Sequence, residues 1–298
     1  MRIVSLLPSA TEIVFALGRG GDLVGVTFEC DFPPEAKSRQ IVSTSALPEG
    51  LGPREIDAVV SAKLAAGEDL YRLDERALAE LDADVVLTQD LCAVCAVDVD
   101  RIDQALAYLG SSARVVTLDP TSLDDVIESI TDVGATLGAE VPADAVVAGL
   151  RRRLADLDAA LTGAPTPAVL VLEWTDPPFS AGHWVPDLVS AGGGRPVGAH
   201  PGGDSRRVSW EAVASAQADV VVVAPCGYHL GPACELADDV VAGGHLPSET
   251  EVWAVDADAY FVRPGPRLAD GAELMAQILH PDRCGRPDPE RACRMAPT

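Results

Sequence analysis

Two cysteines, Cys92 and Cys95, stand three positions apart in the segment Thr88-Gln-Asp-Leu-Cys-Ala-Val-Cys-Ala96. Thiolates at this spacing can share a soft metal, anchor an iron–sulfur cluster, or cycle through a disulfide where a helix start lowers their pKa. A closed zinc site takes four ligands, and the sequence holds no second C-x-x-C. Cys30, in Phe28-Glu-Cys-Asp31, is the candidate third thiol, with Glu29 beside it. The simpler alternative is a set of unligated, partly buried thiols.

A second concentration of chemistry runs from Glu173 to Trp184 as EWTDPPFSAGHW. Trp174, Phe179 and Trp184 offer flat apolar area, while Glu173 and His183 can contact a polar edge or bind a metal. Tyr260, Phe261 and Arg263 form a third group, in a loop that Pro264 and Pro266 stiffen. Cys226 lies in a fourth, Pro225-Cys-Gly-Tyr228. Near the N-terminus, RIVSLLPSATEIVFALG reads as strand, turn and helix, with Ser9 and Glu12 in the S-x-x-E capping pattern. Amides exposed at such a helix end, together with Ser9, can meet a polar ligand group. Gln89 and Asp90 leave the end of another apolar run.

The elements that must position these groups follow from short apolar runs at residues 3–7, 24–26, 85–88, 115–118, 168–172, 220–224 and 252–255, with helical stretches between them. Such alternation predicts βα units on parallel sheets. The runs form two groups, separated by residues 119–167. There, Leu123, Val126, Ile127, Ile130, Val133 and Leu137 recur at helical spacing, and a second helical pattern runs from Pro142 to Leu161. The layout predicts an α/β fold of two Rossmann-like lobes joined by a single long helix, with a ligand cleft between the lobes. The boundaries are 1–120, a linking helix at 121–140, a second lobe at 141–279 and a loosely held tail at 280–298. In open α/β sheets, ligands collect at the carboxyl ends of strands, which is where the candidate groups fall.

Composition narrows the function. Acidic residues number 46 against 22 basic ones, a formal net charge of −24, which repels phosphate backbones and anionic membranes. Nucleic acid is excluded as a partner. No apolar run approaches the roughly 20 residues that span a bilayer, and no basic and apolar leader precedes the first strand, so the expectation is a cytoplasmic chain without membrane insertion. Seven cysteines, an odd number, fit reduced thiols better than a complete disulfide framework. No nucleophile elbow, phosphate-binding loop, dinucleotide fingerprint or H-E-x-x-H appears, which argues against an enzyme.

RIVSLLPSATEIVFALG, DERALAELDADVVLTQD, VLEWTDPPFSAGHWVPDLVSAGGG and YFVRPGPRLADGAELMAQIL together resemble the substrate-binding proteins of cobalamin and iron-chelate ABC importers. The cysteine-bearing loops resemble a leaderless subgroup of that family, labelled cobalamin-binding. The resemblance covers residues 2–279. It implies a non-catalytic two-lobe clamp for cobalamin, another corrinoid or a related metal chelate, held between aromatic walls. It also implies an ABC permease as partner, docked through one glutamate on each lobe. Glu211 matches on the second lobe, but the first lobe has Arg76 at the matching register, with Glu75 beside it, a departure from the docking pattern. Two rival expectations stand beside the clamp. One is a metal or iron–sulfur handling protein using Cys92, Cys95 and Cys30; the other is an enzyme on the same scaffold with Glu173 or His183 as acid or base.

Overall fold

Short valine-rich runs buried on both faces are the signature of parallel strands covered by helices, and residues 220–223 are the plainest case. All four are valine, all are buried, and the strand they form is flanked by parallel neighbours on both sides. Burying each such side chain contributes about 1.5–3 kcal/mol relative to leaving it in water. The structure, a computed structural model, describes residues 1–89 and 113–296. The chain divides into two compact units. One comprises residues 1–120 and 127–147, the other residues 121–126 and 148–298.

In the first unit, strands β1 (Ile3–Ser5), β2 (Leu23–Thr27), β3 (Gln40–Ser45), β4 (Tyr71–Leu73), β5 (Val85–Thr88) and β6 (Arg114–Thr117) form a sheet in the order β4-β3-β2-β1-β5-β6. All described pairings are parallel except β3 with β4. One apolar cluster of this unit joins Val4, Leu6, Val42, Leu78, Leu81 and Val86. The helix Glu75–Leu81 is started by Asp74, whose carboxylate accepts the Ala77 amide at 2.9 Å.

In the second unit, β7 (Ala168–Thr175), β8 (Pro178–Ser180), β12 (Arg206–Arg207), β13 (Val220–Val223), β14 (Glu251–Val255) and β15 (Ala292–Arg294) run in the order β12-β8-β7-β13-β14-β15. β10 (Arg195–Pro196) pairs with β7, and β9 (Gly182–His183) pairs separately with β11 (His200–Pro201). β7, β10, β13 and β14 are mutually parallel, and β8, β12 and β15 are antiparallel additions.

The helical stretch between the strand groups is two helices, Leu123–Leu137 and the 22-residue Glu140–Leu161, at the two helical patterns of the sequence. The division between the units falls inside each of them. Asp125 starts the first by accepting from the Thr121 and Ser122 amides and the Thr121 hydroxyl, while Ser122 Oγ accepts the Asp125 amide. Residues 280–298 depart from the expectation of a loose tail. Pro281–Cys284 is helical, and β15 pairs with β14 from Trp253 to Val255. Ala292 and Met295 bury beside that strand, which gives the segment an apolar anchor despite its Pro and Arg content.

Candidate functional site

Connections leave neighbouring strands in opposite directions at two places, between β1 and β5 in the first unit and between β7 and β13 in the second. Crevices at the carboxyl ends of such strands are where α/β sheets bind ligands. In the first unit, β1 leads into the helix Pro8–Ala16 and β5 into Gln89. The helix starts two residues earlier than the capping pattern implies. Pro8 presets the first helical φ, Leu7 takes the cap position, and no side chain caps the end. Ser9 is therefore inside the first turn at 2% exposure, Glu12 is buried with it, and Gln89 is buried too. The expected capping box does not form.

Cys30 is 3% exposed, and its sulfur lies 3.0 Å from the Thr11 hydroxyl oxygen, so it is a buried thiol against the first helix. Glu29, half-buried next to it, accepts from the Tyr71 hydroxyl at 3.3 Å. Phe28 and Phe32, both more than 40% exposed, flank these residues, and the Phe28 ring lies 6.4 Å from that of Tyr71. Asp90, Cys92 and Cys95 lie outside the described residues. Among the described residues, no three His, Cys, Asp or Glu side chains converge as a metal site.

The second unit gathers more of the candidates. β7 carries Glu173 and Trp174 to its carboxyl end, and β13 is followed by Pro225, Cys226, Gly227 and Tyr228. The Cys226 amide donates to the Glu173 carbonyl at 3.1 Å, which continues the β7–β13 pairing beyond the strands. The Trp174 and Tyr228 rings then meet edge to face, 5.6 Å between centroids. Both are half-buried, Cys226 is exposed, and burial raises the Tyr228 pKa, so its hydroxyl keeps its proton at neutral pH. Phe179 pairs across the hairpin with Trp174 and has the Arg207 guanidinium 5.6 Å from its ring centre.

The loop after β13 is held from beneath by the segment after β14. Asp258 accepts the Gly227 amide and the Arg263 guanidinium, each at 3.0 Å, and His229 Nδ1 lies 3.0 Å from Asp256. Asp256 also caps the helix Ala257–Tyr260 through the Ala259 amide. Arg263 is thus committed to a buried ion pair. Tyr260 is half-buried with Arg291 at 5.1 Å and Arg267 at 6.0 Å over its ring, and burial raises its pKa despite both arginines. Gly271 makes this placement possible, because a Cβ there would collide with the Tyr260 carbonyl oxygen.

Two nominated aromatics prove to be core. Phe261 is fully buried, and Trp184 is 6% exposed with its indole N–H donating to the Phe261 carbonyl at 2.8 Å. The physical reason is mutual: a buried carbonyl needs a donor, and a buried indole needs an acceptor. Glu173 accepts from the Ser205 hydroxyl and, at 3.4 Å, from the Gly182 amide, so its carboxylate organises the loop that returns at residues 203–205. His183 adopts φ +48°, is 14% exposed at its side chain, and places Nε2 3.4 Å from Asp204. The site is therefore centred on Trp174, Phe179, Cys226, Tyr228 and Tyr260. Of these the sequence nominated all but Tyr228, which lay in a segment already marked as following a strand; Asp256 and Asp258, the supports, had only the signal of two aspartates after an apolar run.

Comparison with known proteins agrees with this architecture. A curated relative from Bacillus subtilis, an uncharacterized ABC transporter substrate-binding lipoprotein, is 27% identical over 94% of this chain and 80% of its own. A vitamin B12-binding protein of Vibrio cholerae is 25% identical over 93% of this chain and 88% of its own. Among solved structures, a periplasmic heme-binding protein from Roseiflexus sp. RS-1 superposes with a TM-score of 0.68 at 25% identity, covering 95% of this chain and 98% of that one. The model of the family described as periplasmic binding protein matches residues 3–242, so the chain, with its two α/β units, belongs to the periplasmic binding protein family.

Proposed function

We propose that the chain is a non-catalytic binding protein for a corrinoid or a closely related metal chelate. The observation that carries this is the aromatic pair Trp174 and Tyr228, placed side by side where the strand order reverses, between the parallel β7 and β13 of the second-unit sheet. Flat, half-buried rings suit the faces of a large planar macrocycle, and Phe179 and Tyr260 add area beside them. The vitamin B12-binding and heme-binding relatives support this ligand class. An ABC permease is the partner this reading implies. Glu211, exposed in the first turn of the helix Trp210–Ser215, is its acidic contact on the second unit. On the first unit, Arg76 is spent on Glu80 and Glu75 begins the helix, so Glu75 is the group to examine there.

Titration of the purified chain with cyanocobalamin and, separately, hemin tests the ligand class through their absorption spectra and retention on desalting. Saturable binding of one ligand, weakened at least tenfold by Trp174→Ala with the melting temperature preserved, is the expected outcome. Failure to retain either ligand overturns the proposal.

A further inference from the structure

Three cysteines on the second unit, Cys234, Cys284 and Cys293, have no part in the site just described. Cys234 lies in the helix Leu230–Ala242 and Cys293 in β15, far apart in sequence. That helix packs against β15, and the two cysteines rest, partly buried, on one apolar cluster that includes Ala233, Ala237 and Met295. Neither is in a disulfide, and Cys293 is near enough to make Cys234 hold its proton more tightly. Packing that sets two thiols from distant segments on a common core, where their elements touch, leaves a crosslink little distance to close.

We propose that Cys234 and Cys293 form a reversible dithiol–disulfide pair whose oxidation fastens the C-terminal strand β15 to the helix Leu230–Ala242. A small disulfide of the glutathione class is the oxidant. The Cys293 thiolate attacks one of its sulfurs, the small S–S bond breaks, and the departing thiolate takes up a proton. Cys234, once deprotonated, attacks the Cys293 sulfur of the mixed disulfide and releases the second small thiol. The protein has then lost two electrons and two protons, and the small disulfide has become two thiols. Order follows from environment. Burial, reinforced by the hydrogen bond to Cys293, pushes the Cys234 thiol up to about 11, so it is protonated at neutral pH and acts second. The resolving step accelerates as pH rises.

The test uses the full chain, equilibrated in glutathione buffers of increasing oxidised fraction, alkylated and digested. Peptide mass spectrometry is expected to find Cys234 linked to Cys293 as the dominant protein disulfide. The oxidised protein should melt about 5 °C above the reduced one, because the crosslink closes a long loop in the unfolded chain. Cys234→Ser and Cys293→Ser should each abolish both the link and the rise. Glutathione adducts on the two cysteines without a link, a different dominant pairing, or a link that leaves the melting temperature unchanged would each overturn the proposal. The wild-type measurements decide the matter even where a variant folds poorly.

Discussion

Trp184 and Trp174 lie in one short segment of the same composition, yet the structure gives them opposite duties, and substituting each with phenylalanine separates those duties. Trp184→Phe deletes the indole N–H that satisfies the buried Phe261 carbonyl at 2.8 Å. An orphaned buried acceptor costs about 1–3 kcal/mol. The pyrrole edge lost with it removes further buried apolar area, worth about 1 kcal/mol at ~25 cal/mol per Å². The sum is about 2–4 kcal/mol, which lowers the melting temperature of a domain this size by about 5–10 °C. Trp174→Phe keeps a half-buried ring against Tyr228 and should change the melting temperature by less than about 2 °C, while weakening ligand binding through lost stacking area. Thermal and urea unfolding followed by far-UV circular dichroism, which does not depend on the substituted fluorophore, reads the stability arm; ligand titration reads the other. If Trp184→Phe retained wild-type stability and lost affinity, its assignment to the core would be wrong, and with it the division of this segment into wall and support.

Three further outcomes are expected. Asp125→Asn should flatten the acid side of the stability profile: hydrogen bonds from Thr121 and Ser122 lower the folded pKa, so this group stabilises above its unfolded value near 3.8 and that contribution is lost as pH falls through the folded value, which acid titration by circular dichroism would reveal. In a double-mutant cycle of Asp258→Asn and Arg263→Met, unfolding in urea should give a coupling energy of at least about 1 kcal/mol, since both side chains are nearly buried; additive effects would mean the pair contributes nothing. Gly271→Ala should displace the Tyr260 loop, lowering both melting temperature and ligand affinity, and a variant indistinguishable from wild type in both would contradict the tight approach of Tyr260.

Sequence pattern located every strand whose apolar run is continuous: β1, β2, β5, β6, β7, β13 and β14 all fall on the runs it predicts. It missed β3, whose Gln40-Ile-Val-Ser-Thr-Ser45 keeps only Val42 and Ser43 buried and so lacks a long hydrophobic signal. It also missed β8 to β12, two or three residues each, whose existence depends on partners distant in sequence. At the site the limit was of another kind. Aromatic residues past a strand end mark a place, but whether a ring faces outward or inward depends on which backbone group needs its donor. Phe261 and Trp184 went inward because each completes the other, a relation across distant positions that no local pattern contains. Cys30 is a candidate ligand by type, and its burial beside Thr11 is a long-range relation of the same kind.

The antiparallel strands at the two ends of the second-unit sheet bear on how the molecule behaves in company. An open parallel sheet ends in rows of unpaired amides and carbonyls, a template on which another chain can add a strand and begin to aggregate. Here one margin is occupied by β15, three residues long and carrying Arg294 in an ion pair with Glu251. The other ends in β12, which is only Arg206 and Arg207, both exposed. Short, charged margins of this kind deny a neighbouring chain the length of backbone it needs, while the formal net charge of −24 keeps copies apart at longer range. Deleting residues 285–298 would uncover β14, whose Val252, Ala254 and Val255 are apolar and buried, and would turn that side of the sheet into a seed for self-association.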